Sequence, residues 1–389
     1  MKNKFKIILS TVHRFNNRAG GTEKVICEMA NALTIMGHDL TILYCDEHRG
    51  KPFFPLNKNV TLANTFIEIP FFSRQLFRNF ISFFSPSDDK LRKRKEIECK
   101  WKSKNILKFL TTSNLKPDII ICFDFESTYI FKELLRLPIP IIATLQTAPI
   151  LAFQNNKNQL FYSSINKCAA LHVLMPEFAE DCRKLFPSIQ IISIPNCIPN
   201  FHANTNYSLK KIICVSRFDP EKRPELLVRA FALLKDSYPD WTVEFWGRYS
   251  KQHTNKIKNL IKNLGLEDRF FLKGVTSEIH LKLSEASIFA IPSKYEGFCI
   301  SLIEAMSCGL PSIGASDCPA INSLISHNKT GYLTDPTPEA FAAGLEELMK
   351  NPSKREEFGQ KAKLKVKNYN ENTVWSQWNS LIQNIITRS

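Results

Sequence analysis

Short apolar runs alternate with amphipathic stretches along the whole chain. Phe5–Val12 is the first run and reads as a buried parallel strand. A polar loop, His13 to Gly21, ends in a Gly-Gly pair. Thr22 stands where it could cap a helix, with Glu23 in its first turn, and Val25, Ile26, Met29, Ala30 and Leu33 recur at helical spacing. Gly37 stops that helix and Leu40–Tyr44 follows as a strand, which makes one βαβ unit with a right-handed crossover. Pro117–Asp124 and Ile139–Leu145 read as further buried strands. Ile191–Asn206, with Pro195, Pro199 and four asparagines, reads as a linker.

After it the alternation restarts. Strands are expected at Lys211–Val215, Thr242–Trp246, Arg269–Leu272, Ile288–Pro292, Pro311–Ala315 and Thr330–Leu333. The helices between and after them are Pro224–Lys235, Asn255–Leu264, Glu278–Ala286, Cys299–Ser307, Pro319–Ile325, Pro338–Lys350, Pro352–Lys367 and Asn372–Thr387, several opening on a proline. Two such arrays predict an α/β protein of two Rossmann-like, doubly wound domains facing each other. Ligands of such sheets bind beyond the carboxyl ends of the strands, so the interdomain cleft is the expected site.

A length of 389 residues suits two domains, and 44% hydrophobic with 23% charged residues is ordinary for a globular chain. No apolar run is long enough to span a membrane, and the N-terminal run, broken by Lys6, lacks the features of a signal peptide. Charge changes the picture more. The net is +15, with +10 carried by residues 1–200 and +5 by residues 201–389. The segment Arg74–Lys108 holds 11 basic and 4 acidic residues; its region opens on aromatics, Phe71, Phe72, Phe77, Phe80, Phe83 and Phe84, and a lysine and arginine run from Lys90 to Lys108 follows them. Such a segment calls for an acidic partner. With no nucleic-acid-binding motif, an anionic membrane surface is the expectation, and nucleic acid is excluded. None of the eleven cysteines forms a C-x-x-C pair, which speaks against zinc and for a reducing cytosol.

Candidate chemistry concentrates in Tyr295-Glu296-Gly297-Phe298-Cys299-Ile300-Ser301-Leu302-Ile303-Glu304-Ala305-Met306-Ser307-Cys308-Gly309-Leu310-Pro311. Gly297 is expected to allow the sharp turn into a helix. The amides of Phe298, Cys299 and Ile300 would form an anion site at its N-terminus. Glu304 could then accept hydrogen bonds from a ribose diol, and Glu296, at the loop tip, from sugar hydroxyls. Taken singly, each would more ordinarily be a solvated loop or helix carboxylate.

The whole string resembles the signature of the retaining glycosyltransferases of family 4, which have the two-domain GT-B fold. The resemblance implies that Glu304 holds the nucleotide ribose and Glu296 contacts the donor sugar. Val215-Ser216-Arg217-Phe218-Asp219-Pro220-Glu221-Lys222 is similar to the family's G-R-L-x-x-x-K segment, which implies that Arg217 and Lys222 hold the donor diphosphate. Two fixed cations at a strand end suit that role. Gly20-Gly21-Thr22-Glu23 resembles the family's G-G-x-E loop beside the donor, and Ile194-Pro195-Asn196 its entry to the interdomain linker. The family's domain plan would make 1–200 the acceptor-binding domain, 201–371 the nucleotide-sugar domain, and 372–389 a helix packing back on the first.

Departures matter. Gln146 stands where relatives commonly carry a histidine, so no proton-carrying role transfers to it. Asp124 and His13 are candidates for substrate contact, and Asp124 could equally cap the following helix. Arg248 replaces the second glycine of a G-x-G and could reach the donor pocket. No Asp-x-Asp triplet is present; Asp124-Phe125-Glu126 is the nearest string and is not read as a metal site. The expectation is a cytoplasmic enzyme, peripheral at the inner face of the cell membrane, that needs no metal. It would move a sugar from a nucleoside-diphosphate donor to a glycan or lipid-linked acceptor in cell-envelope polysaccharide or lipopolysaccharide synthesis. In the family, closure of the cleft would exclude water from the donor. The rival readings are an inactive member, a nucleotide-sugar epimerase and a basic membrane scaffold.

Overall fold

The computed structural model describes residues 4–47, 50–66, 87–153, 159–198, 205–248 and 251–388. The chain divides into two units, Met1–Pro195 with Trp375–Ser389, and Asn196–Val374. The aromatic stretch Phe71–Phe84 and residues 74–86 of the basic segment lie outside the described residues, as do Pro199, Asn200 and Asn204.

The sheet of the first unit has seven strands: β1 (Lys6–Thr11), β2 (Asp39–Tyr44), β3 (Thr61–Asn64), β4 (Ile119–Cys122), β5 (Ile141–Leu145), β6 (Ala170–Val173) and β7 (Ile191–Ser193). Their order is β3-β2-β1-β4-β5-β6-β7, and every pairing is parallel. The central strands are buried from end to end, as unbroken runs such as Ile119-Ile120-Ile121-Cys122 require of a sheet covered on both faces. The second unit has β8 (Lys211–Val215), β9 (Thr242–Trp246), β10 (Phe270–Gly274), β11 (Ile288–Ile291), β12 (Ser312–Ala315) and β13 (Gly331–Thr334) in the order β10-β9-β8-β11-β12-β13, again all parallel.

Both sheets reverse direction next to their first strand. β1 lies between β2 and β4, and β8 lies between β9 and β11. Successive connections therefore leave on opposite sides there and open a crevice at the carboxyl ends.

Three short strands differ from the sequence expectation. β3 is mostly exposed, β6 carries a polar His172, and β7 lies inside the stretch read as linker, three residues at a sheet edge. Thr22 is not the cap of the first helix. The helix begins at Gly21, Gly20 occupies the cap position with extended backbone, and no side chain caps it. Instead Glu23 is buried and paired with Arg18 at 3.0 Å, folded so closely over Gly20 that a Cβ there would strike its carboxylate. At the other end Gly37 takes φ 101°, and the amides of Gly37 and His38 close back on Thr34 and Leu33, a Schellman ending.

The helix Glu371–Arg388 groups with the first unit from Trp375 onward. His38 accepts from the Phe5 amide and donates through Nε2–H to Asn379 Oδ1 at 2.8 Å. His172 donates to the Ile194 carbonyl at 2.7 Å, with its ring 4.5 Å from that of Trp378. In the second unit the buried Arg355 donates to the carbonyls of Tyr207, Leu348 and Met349 and lies 5.2 Å over the Trp241 ring. Two of those carbonyls belong to the last turn of helix Pro338–Lys350, where they lack intrahelical partners.

His172 makes the first unit acid-sensitive. Burial holds its imidazole down at about 4, against the opposing pull of the Ile194 carbonyl. An unfolded chain binds a proton there near the ordinary value of about 6.5. Unfolding therefore takes up a proton between those two pH values, and stability falls as pH drops through that window. Urea midpoints at pH 7.0, 5.5 and 4.5 should decline for the wild type and flatten for His172→Phe. An equal decline in the variant would refute the assignment.

Candidate active site

Each crevice is bridged by a cation and a carboxylate from the loops on its two sides. In the second unit the loop after β8 delivers Arg217 and Lys222, and the loop after β11 delivers Glu296. Lys222 is buried, with its Nζ 2.8 Å from Glu296 Oε1 and 2.8 Å from the Tyr295 carbonyl. The amide of Lys294 donates to the Glu221 carbonyl at 2.8 Å, so backbone also stitches the two loops together. Arg217 is half-exposed and reaches neither Glu296 nor its loop. Its guanidinium is held by Asp219 at 2.6 Å and Glu221 at 3.2 Å.

Backbone from β9 closes one side. Gly247 takes φ 153° and donates its amide to the Gly274 carbonyl, and a Cβ on it would collide with the Ser216 carbonyl. Glycine is therefore required for the approach to the Arg217 loop. The neighbouring Arg248 contributes its carbonyl, which accepts from the Phe218 amide, while its side chain is exposed.

The signature string folds differently from expectation at one point. Helix Ile300–Ser307 is capped by Cys299 in the left-handed region, φ 52° and ψ 60°, and Gly297 does not make that turn. A left-handed non-glycine residue costs about 1–2 kcal/mol. Here the small Cys299 side chain is buried, and burial pushes its thiol well above the ordinary range. Phe298 is also buried, its ring edge-on to Tyr369 at 5.4 Å, so its side chain is an anchor and only its backbone remains for a ligand. Glu304 is buried in the helix, and Ser307 Oγ donates to its carbonyl. The first amides of this helix lack intrahelical acceptors by construction.

In the first unit the loops after β1 and β4 meet. Asp124 does cap the helix Phe125–Tyr129: Oδ1 accepts from the Ser127 amide at 2.6 Å, and Oδ2 accepts from the Val12 amide at 3.0 Å. Glu126 pairs with His13 at 3.4 Å and with Lys95 at 3.1 Å. Burial opposes ionisation of Glu126, but the His13 hydrogen bond and charge, with Lys95, outweigh it and hold the carboxyl at about 2. His13 is raised above its ordinary value, by the Asp124 charge foremost, with Glu126 assisting and burial and Lys102 opposing. Lys102 donates to the Val12 carbonyl at 2.8 Å. Gln146, after β5, donates to Thr144 Oγ1 at 3.3 Å. Sequence reasoning missed Glu126, Lys95 and Lys102, because nothing local links residues brought together by β1–β4 pairing.

Comparison with known proteins fits this architecture. The family model for Glycosyltransferase Family 4 matches residues 19–199, and that for Glycosyl transferases group 1 matches residues 201–365. The fold is that of GT-B glycosyltransferases. The structure is similar to sucrose-phosphate synthase from Thermosynechococcus elongatus, with a TM-score of 0.80 at 18% identity, covering 99% of this chain and 100% of that one. It is also similar to a Staphylococcus aureus TarM mutant in complex with fondaparinux, α-GlcNAc-glycerol and UDP, with a TM-score of 0.77 at 16% identity over 97% and 99% of the two chains. Likeness at such identities is one of fold. In sequence the chain is 24% identical over 370 residues to an uncharacterized glycosyltransferase of Haemophilus influenzae, covering 94% of this chain and 96% of that protein. It is 27% identical over 233 residues to the poly(ribitol-phosphate) α-N-acetylglucosaminyltransferase of S. aureus, covering 59% of this chain and 47% of that protein.

With both domain families present in order, the chain belongs to the glycosyltransferases and is a transferase.

Breaking the Lys222–Glu296 pair from one side should be costly. Lys222→Ala leaves the part-buried Glu296 carboxylate, 13% exposed, without its cation, a loss of about 1–3 kcal/mol. The double variant Lys222→Met with Glu296→Leu should regain most of that stability. Urea unfolding of the singles and the double checks this, and additive losses would show that the pair is not coupled.

Proposed function

We propose that the chain transfers a sugar with retention of configuration, from a nucleoside-diphosphate donor to a hydroxyl acceptor, in cell-envelope polysaccharide or lipopolysaccharide synthesis. The observation that carries the reading is the pair of Lys222 and Glu296 joining the carboxyl ends of β8 and β11, with Arg217 on the same loop as Lys222. The S. aureus relative named for poly(ribitol-phosphate), and the UDP in the TarM complex, support the pathway and donor class.

In this reading the acceptor hydroxyl attacks the anomeric carbon on the face the diphosphate leaves. The bond from that carbon to the phosphate oxygen breaks as the new glycosidic bond forms. The acceptor's proton passes to a diphosphate oxygen, so no protein base is needed. Arg217 and Lys222 stabilise the charge building on the leaving group, in the role a metal would otherwise serve. Glu296 receives donor-sugar hydroxyls and Glu304 the ribose. Backbone at 297–300 in the second unit lies along the phosphates. Because the ion pairs of Arg217 to Asp219 and Glu221 are half-exposed, and such pairs are weak, a diphosphate can replace them. His13, Asp124 and Gln146 serve the acceptor side.

No helix among the described residues is long and apolar enough to cross a membrane. The helix Ser87–Thr112, with nine basic and four acidic residues, suits an anionic membrane surface, where each basic residue near lipid contributes about 1 kcal/mol. All eleven cysteines are free, which suits a reducing cytoplasm.

A donor panel tests this reading, scoring nucleoside-diphosphate release with and without acceptor and the product's anomeric configuration by NMR. Arg217→Ala should lower kcat by about 10²–10³, and Arg217→Lys should restore part of it. Glu304→Ala, losing charged hydrogen bonds worth roughly 1.5–3 kcal/mol each, should weaken donor use about ten- to a few-hundred-fold. Activity should survive EDTA. Loss with EDTA and return with Mg²⁺ would overturn the metal-free step, sugar epimers without acceptor would indicate an epimerase, and an inverted product would refute retention.

A further inference from the structure

The crevice beside β1 presents an unusual balance of hydrogen-bonding groups. Both oxygens of Asp124 are taken by backbone amides, those of Val12 and Ser127. Both oxygens of Glu126 are taken by cations, Oε2 by His13 and Oε1 by Lys95. Lys95 also lies 5.5 Å from the centre of the Phe161 ring. The carboxylates are therefore committed inward.

What the crevice offers a ligand are donors. His13 has a half-exposed side chain and uses one ring nitrogen toward Glu126; its second nitrogen makes no hydrogen bond among the described residues. An imidazolium carries a proton on both nitrogens. Lys102 spends one of its three donors on the Val12 carbonyl, two positions along the chain from Arg14 and one from His13 itself. A site with spare donors and committed acceptors selects a ligand rich in acceptor oxygens and negative charge.

We propose that His13 is the acceptor-side anchor of this glycosyltransferase, and that the acceptor it fits carries a phosphate ester or phosphodiester close to the hydroxyl that is glycosylated. The proposal rests on the transferase reading above for the word acceptor; the anion site itself does not depend on it. Asp124 and Glu126 act as positioning residues: they fix the ring and keep its proton. The groups facing His13 are Asp124 and Glu126 from the loop after β4, and Lys95 and Lys102 from helix Ser87–Thr112. The carboxylates raise its proton affinity, so the anchor persists above the ordinary imidazole range and is lost as pH rises through its raised value.

His13, Asp124 and Glu126 place one ligand atom each within 4.8 Å of one another, a spacing a cation could also use. A cation would have to displace Lys95 from Glu126 and would meet the nearby charge of Lys102. The anion is therefore favoured, and the metal becomes an outcome of the test.

The test follows the His13 ring by NMR in full-length protein with ¹⁵N-labelled histidine, the resonance being assigned by its loss in His13→Gln. The probes are glycerol phosphate, uncharged glycerol and Mg²⁺. Glycerol phosphate should shift the His13 resonance saturably and raise its pKa, and its affinity should fall at least tenfold between pH 6 and pH 9. Glycerol should do neither. Vesicles of phosphatidylglycerol in phosphatidylcholine form a second arm: a response to them or to glycerol phosphate supports the proposal and tells whether the phosphate is borne by lipid or by a soluble chain. Glu126→Gln, which keeps the ring, should lower the pKa of His13 and weaken glycerol phosphate several-fold at pH 7.5. A ring unmoved by both phosphate probes, an equal response to glycerol, or a response to Mg²⁺ alone would overturn it. UDP titrated into the same samples separates the two readings, since loss of UDP binding in the wild type would count against the donor site and leave the His13 result standing.

Discussion

The close pair of the buried Lys222 and the part-buried Glu296 sets the geometry on which the second unit's site depends. An ammonium and a carboxylate taken out of water are unfavourable singly, and tolerable only when they meet at close range with their remaining bonds satisfied. Lys222 meets that condition through Glu296 and the Tyr295 carbonyl. The consequence is positional. The loops after β8 and β11 cannot drift apart without stranding a charge, so Arg217 and the start of helix Ile300–Ser307 are presented from a fixed base. Gly247 completes that base, since only a residue without a side chain lets β9 backbone pass the Ser216 carbonyl.

The first unit solves the same problem with a weaker cation. His13 and Glu126 stand across the β1–β4 crevice as Lys222 and Glu296 stand across the β8–β11 crevice. Imidazole titrates close to neutral pH, and the neighbouring carboxylates raise the proton affinity of His13. The second unit therefore sets an ammonium beside its carboxylate, and the first unit a titrating imidazole.

Much of this was legible in the chain itself. Strands β1, β2, β4, β5, β8 and β11 stand out because burial on both faces writes them as mostly apolar runs, whereas β9, β10, β12 and β13 are legible chiefly from their place in the alternation with helices. β3, β6 and β7 do not, since short, edge or histidine-bearing strands lack that pattern. In the candidate site, Arg217, Lys222, Glu296 and Glu304 stand out through motif spacing, but their partners do not. The pairing of Lys222 with Glu296, of Lys95 with Glu126 and of Lys102 with Val12 follows from strand order, which no local window contains. The left-handed Cys299 was hidden for a related reason: the adjacent Gly297 looks like the residue that would take the strained conformation, and only the observed helix start shows otherwise.

The grouping of Trp375–Ser389 with the first unit carries a consequence for synthesis. Residues 196–374 lie between the two parts of that unit, so the ribosome makes the whole second unit before the first can be completed. At about 5–20 residues per second, the surface that receives Trp378 and Ile382 waits on the order of ten to forty seconds for its cover. During that interval His172 on β6 lacks the indole of Trp378 that later lies against it. The second unit, continuous in sequence, is free to fold in the meantime, which makes the first unit to emerge the last to be finished.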